Sequence, residues 1–177
     1  MLSEGPQFIK NLDIVFCVDI TGSMGSYLRK ATTTIKKIMD DVSARSEVRH
    51  IKRRFAFVGY RDHPPEDSSF VTRVKDFCSY SELKAFIDRQ NADGGGDYPE
   101  AVLDGLRDSI TKISWKDNDK FSTLRYIVHI CDAPPHGKEF GGCGDGFPLG
   151  CPVGITLADV GKLFFVNNIR YRLYLCS

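Results

Sequence analysis

The apolar residues of this chain alternate between two periodicities. Between Asp13 and Asp19 the run Ile14-Val15-Phe16-Cys17-Val18 is continuously apolar and rich in β-branched side chains, the pattern of a strand covered on both faces. After the turn Thr21-Gly22-Ser23, Leu28, Ala31, Ile35, Ile38, Met39 and Val42 recur at helical spacing. Phe55 to Tyr60 predicts a second buried strand, and Phe70 to Phe77 a third with weaker alternation. Ser81 and Glu82 ahead of Leu83, Phe86 and Ile87 predict a short helix. A glycine loop, Asp93 to Asp97, follows. Asp97 is then read as a helix cap, with Pro99 in the first turn and Glu100 three residues after the cap. Val102, Leu103, Leu106, Ile110 and Ile113 give that helix its apolar stripe. Tyr126 to Cys131 predicts a strand ending at Asp132, Leu157 to Phe164 a last helix, and Tyr171 to Cys176 a terminal strand.

Strands alternating with helices predict an α/β, doubly wound, mostly parallel sheet with helices on both faces, because each crossover lays a helix against the sheet. No internal repeat or linker interrupts the pattern. Residues 134–152 form a long stretch rich in Gly and Pro, a length that in a compact domain more often serves function.

Composition narrows the classes. The 177 residues suit one domain, and 42% hydrophobic residues can build a core. Lys and Arg number 24 against 23 Asp and Glu, a net charge of +1, which speaks against nucleic-acid wrapping. The one basic run, Arg49 to Arg54, lacks interleaved aromatics and reads as a solvated strand edge. No apolar run approaches a membrane span, and Met1 to Pro6 lack the basic and apolar regions of a secretory signal, so a cytoplasmic location is expected.

In open α/β sheets, ligands bind at the carboxyl ends of the strands. Asp19 ends the first strand, Thr21 and Ser23 follow it, Asp97 closes the glycine loop and Asp132 ends a later strand. Three carboxylates and two hydroxyls would converge on one rim, where the carboxylates repel one another as anions unless a cation joins them. Mg²⁺ prefers such oxygen ligands, with Mn²⁺ as a substitute, and zinc is the poorer match.

The stretch Asp19-Ile20-Thr21-Gly22-Ser23 resembles the D-x-[ST]-x-S signature of the von Willebrand factor A (VWA) domain and its metal-ion-dependent adhesion site, a Rossmann-like fold. The resemblance runs from about Asp13 to the end of the chain and implies a domain over 13–177 behind an extension over 1–12. It implies that Thr21 and Ser23 bind Mg²⁺ through their hydroxyls, that Asp19 and Asp132 hold it directly or through water, and that a partner protein's Asp or Glu completes the coordination. Many members supply a threonine from the middle loop, where this chain offers Asp97. Members also continue past the last strand with a helix, so the resemblance implies a domain lacking its last helix. The stretches Gly94 to Val102 and Cys131 to Gly137 resemble intracellular VWA domains, including those joined to alpha-type protein kinases. A regulatory or targeting part of such a kinase is therefore the alternative.

Enzyme classes fit less well. Phosphatases of the haloacid-dehalogenase type need D-x-D, and position 21 is Thr; no phosphate loop is present. Without a nucleophile and base paired by motif, the chain is expected to be no enzyme. His136, Cys143 and Cys151 do not have the spacing of common zinc sites, and Cys17 and Cys131 lie within strands. His63 and His136 follow strand ends, where either could line the rim or serve a structural role.

Overall fold

A computed structural model describes residues 9–45, 50–115, 122–141 and 144–177. In chain order the elements are β1 (Asn11–Asp19), a 3₁₀ turn (Gly22–Ser26), α1 (Leu28–Ala44), β2 (Lys52–Tyr60), β3 (Thr72–Cys78), α2 (Tyr80–Ile87), α3 (Val102–Thr111), β4 (Thr123–Cys131), a 3₁₀ turn (Lys138–Phe140), α4 (Leu157–Val166) and β5 (Ile169–Leu175). The five strands form one sheet in the order β3-β2-β1-β4-β5. Only β3, at one edge, is antiparallel to its neighbour.

Side chains alternate across a strand, so the central apolar runs feed two cores. Ile14, Phe16 and Val18 of β1 pack with Phe55 and Phe57 of β2 under Ile35 and Met39 of α1 and Leu83 and Ile87 of α2. Val15, Cys17, Ala56, Val58 and Ile127 face the other way, onto Leu103, Leu106 and Ile110 of α3 and Val160 of α4. The central strands β1 and β2 are thus buried on both faces along their apolar runs, Ile14 to Val18 and Phe55 to Tyr60.

Local chemistry shifts several boundaries. The second helix is capped by Ser79, with Glu82 closing a capping box. Thr156 and Asp159 make the same box at α4. The predicted cap at Asp97 does not form: α3 starts at Val102, with Ala101 at its N-cap and no side-chain cap bond. Glu100 bridges Pro135 in an isolated parallel pair instead, its amide bonded to the Pro134 carbonyl at 3.0 Å. In the basic run, Arg54 pairs with the buried Asp13 at 2.5 Å and Arg53 donates to the Val42 carbonyl, so both anchor the start of β2; Arg49 lies outside the described residues. Among the described residues no helix is long and apolar enough to cross a membrane.

Strand β5 is buried only at Ile169, and Tyr171, Leu173, Tyr174 and Leu175 are exposed. Tyr171 still ties β5 inward. Its hydroxyl lies 2.6 Å from His129 Nδ1, and His129 Nε2 lies 2.7 Å from the Tyr60 hydroxyl, joining β2, β4 and β5 across the sheet. Burial pushes the His129 pKa down to about 4. An unfolded imidazole protonates near 6.5, so the unfolded chain gains a proton that the fold refuses, and stability falls as pH drops below that value. Between pH 7 and pH 5 this one group should cost about 2 kcal/mol. His129→Gln, which keeps polar contacts but cannot titrate, should remove that share of the slope in urea melts at the two pH values.

Candidate metal centre

Sheet register builds the rim. Asp19 pairs with Tyr60 across β1 and β2, and Val18 with Ile130 across β1 and β4. The strands therefore end at nearly one level. Asp19, Asp132 and Asp62, two residues past Tyr60, leave three adjacent strands together. Parallel strands make this automatic, since their carboxyl ends share one edge of the sheet.

At the centre, Thr21 donates to Asp19 Oδ1 twice, from its backbone N–H at 2.9 Å and its hydroxyl at 2.6 Å. The Thr21 and Ser23 hydroxyl oxygens are 3.1 Å apart, and Ser23 donates to Asp132 Oδ1 at 2.9 Å. Four of the five anticipated residues thus form one connected run. Asp19 and Thr21 are fully buried, and Asp19 Oδ2 has no partner among the described residues. Burial, opposed by the Thr21 bonds and helped by Asp132, pushes the Asp19 pKa up to about 7.

The glycine loop folds onto this run. Asp93 N–H reaches the Ile20 carbonyl at 3.1 Å, and Gly22 N–H reaches the Gly94 carbonyl at 2.9 Å. Gly94 and Gly95 have φ of 73° and 77°, a conformation that suits glycine. A Cβ at Gly95 would also sit 2.7 Å from Glu100 Oε1 and 3.2 Å from Thr21 Cβ. Glu100 is therefore a rim residue. It is 3% exposed, its Oε2 has no partner, and burial followed by the charges of Asp19 and Asp62 pushes its pKa up to about 10. The sequence disguised it as the third residue of a capping box.

The fifth anticipated residue, Asp97, is grouped with Asp62 and His136, one ligand atom of each lying within 4.8 Å of the others. Burial raises its pKa, against the Gly146 N–H that it accepts and with the help of Asp62. His63, Asp104 and Cys151 form a further group, with His63 Nε2 at 2.8 Å and Cys151 Sγ at 3.1 Å from Asp104 Oδ2. Burial lowers the His63 pKa, but Asp104 and Cys151 outweigh it and carry it to about 9. His136 and Cys151 thus fall in separate groups, and Cys143 lies outside the described residues. Cys17, in the core as anticipated, is a free thiol that burial raises far above the ordinary range.

The model of the von Willebrand factor A domain family matches residues 13–138. The chain belongs to this family. It is 32% identical over 160 residues to "Alpha-protein kinase vwkA" of Dictyostelium discoideum, a match covering 90% of this chain and 24% of the kinase. A second relative, "Putative ariadne-like RING finger protein R811" of Acanthamoeba polyphaga mimivirus, is 28% identical over 72% of this chain and 12% of its own length. The VWA domain thus spans a quarter or less of these curated relatives. Among solved structures, the pilus adhesin SpaC of Lactobacillus rhamnosus GG superposes with a TM-score of 0.61 at 12% identity, covering 93% of this chain and 24% of the adhesin. Proximal thread matrix protein 1 from the mussel byssus gives 0.52 at 12% identity, over 93% of this chain and 35% of its own. At such identities the likeness shows the fold.

The donor chemistry of the VWA rim suits a hard divalent ion. Two carboxylates and two hydroxyls converge, and the most buried carboxylate keeps one oxygen unpaired. The nearby guanidinium of Arg61 is turned elsewhere, 3.8 Å from Asp67 and Asp93 and stacked on Phe70. Without a cation the buried charge on Asp19 opposes folding. Asp19→Asn should therefore raise the metal-free melting temperature by a few degrees while abolishing any gain from divalent ions, as differential scanning fluorimetry in EDTA and in Mg²⁺ will read.

Proposed function

We propose that this VWA domain is a divalent-cation-dependent protein-binding module, in which Mg²⁺ held by Asp19, Thr21, Ser23 and Asp132 coordinates an Asp or Glu of a partner protein. The observation that carries the reading is the buried, unpartnered Oδ2 of Asp19 at the head of the bonded run through Thr21 and Ser23 to Asp132. Mg²⁺ takes octahedral oxygen coordination and usually keeps several waters. Donors arriving from the sheet side leave positions toward solvent, where a partner's carboxylate can replace a water. Mn²⁺ shares these preferences and should substitute. Asp97, facing Asp62 and His136, stands outside this set of four.

A second reading rests on the similarity to the alpha-protein kinase: the domain is a regulatory or targeting portion, working in the cytoplasm, with catalysis carried elsewhere. Both readings make this chain non-catalytic. Purified alone, it should hydrolyse no ATP above a buffer control, and sustained turnover would refute both.

Mg²⁺ that binds only the native state stabilises it by mass action, by about 2.7 kcal/mol at 100 times its Kd. Melting temperature should rise with Mg²⁺ or Mn²⁺ in the natural sequence, and Ser23→Ala and Asp132→Ala should abolish the rise. A partner, once isolated, should dissociate on adding EDTA. One that stays bound both in EDTA and to Asp19→Ala would show that adhesion does not run through the metal.

A further inference from the structure

We infer that a second cation site lies beside the first, built by Asp62, Asp97 and His136, and that it takes a transition ion of the Zn²⁺ class. Three segments meet there: Asp62 just past β2, Asp97 at the end of the glycine loop, and His136 after β4. Ligand atoms from all three lie within 4.8 Å of one another. Asp62 and His136 are buried, and Asp97 is half-buried.

The histidine is oriented as metal-binding imidazoles are. His136 Nδ1 lies 2.9 Å from Asp145 Oδ1, while Nε2 faces the cluster, 2.7 Å from Asp62 Oδ1. Asp145 is itself fixed by the N–H groups of Gly137 at 2.7 Å and Phe147 at 2.8 Å. A carboxylate that holds one imidazole nitrogen and so aims the other is the usual support of a ligating histidine.

An independent observation points to a cation. Asp62 is completely buried, yet among the described residues its Oδ2 has no hydrogen-bond partner, and neither has Asp97 Oδ1. Asp62, Asp97 and Asp145 set three carboxylates against one imidazole, so even a protonated ring leaves negative charge in excess. Buried carboxylate oxygens are costly unless paired or bound to metal. A divalent ion between Asp62, Asp97 and His136 would satisfy all three, with water completing four-coordination.

The imidazole nitrogen separates this site from the oxygen-only rim, since imidazole favours Zn²⁺ and its neighbours over Mg²⁺. The His63, Asp104 and Cys151 group lacks the same demand. There Asp104 Oδ2 accepts from His63 and Cys151 while Oδ1 meets Arg107 at 3.2 Å, and none of its fully buried side-chain oxygens or nitrogens is left without a partner among the described residues.

The inference does not depend on the adhesion reading, and its test separates the two. Metal-free full chain is loaded with Zn²⁺ and then with Co²⁺, and bound metal is counted after desalting. One tightly held equivalent is expected, retained in Ser23→Ala and weakened at least tenfold in His136→Gln and in Asp97→Asn. Asp145→Asn should weaken it about 10–100-fold through the ring it orients. Equal metal-free melting temperatures guard against misfolding, and Asp97 is exposed enough for its substitution to be tolerated. Zinc retained by both His136→Gln and Asp97→Asn would overturn the site. So would zinc lost only in Cys151→Ser, with a thiolate-to-cobalt absorption band marking the neighbouring group as the ligand.

Discussion

The burial of Asp19 constrains the rest of the site. The residue ends the central strand of the sheet, flanked by β2 and β4, and cannot swing into water. Thr21 supplies two hydrogen bonds to one oxygen and nothing supplies the other. Around this fixed anion the chain gathers more acid: Asp132 from β4, Glu100 from the approach to α3, Asp62 from past β2. A core that concentrates buried carboxylates opposes its own folding unless their charge is compensated.

The surrounding backbone serves that arrangement. The glycine loop is pinned to the end of β1 by two backbone bonds, and side chains there would strike Asp67 or Glu100. It leads into Asp97, which is grouped with Asp62 and His136, and sets Gly95 against Glu100. The long segment after β4 returns Asp145 to orient His136 and delivers Cys151 to Asp104. Loops from separate crossovers thus share one polar seam, possible because parallel strands send all their carboxyl ends to one side.

What the sequence disclosed follows from how each feature is encoded. The central strands were legible because burial on both faces writes itself as unbroken apolar runs at Ile14 to Val18 and Phe55 to Val58. Strand β3, half-buried along its length at an edge, left only a blurred alternation. Asp19, Thr21 and Ser23 sit within five residues and announce themselves, and Asp132 follows from its strand end. Glu100 meets its neighbours from far along the chain, and Asp145 holds His136 from within an aperiodic loop, so no local pattern marks either. Glu100 was worse than silent: Asp97 and Pro99 ahead of it imitate a helix start, although the helix begins at Val102. Asp62 obeyed the same strand-end rule that located Asp132, and its neighbour His63 drew the notice instead.

The bonded series Tyr60, His129 and Tyr171 has a directional consequence. With its pKa near 4 the ring is neutral at physiological pH, and a neutral imidazole has one N–H and one lone pair. One tyrosine hydroxyl must therefore accept a hydrogen bond from the ring while the other donates one to it. The two hydroxyls cannot be equivalent, and exchanging the ring's tautomer reverses both at once. Proton order is thereby shared between the interior strand β2 and the exposed edge strand β5, so a change in what Tyr171 meets at the surface would be felt at Tyr60, whose backbone partner across the sheet is Asp19.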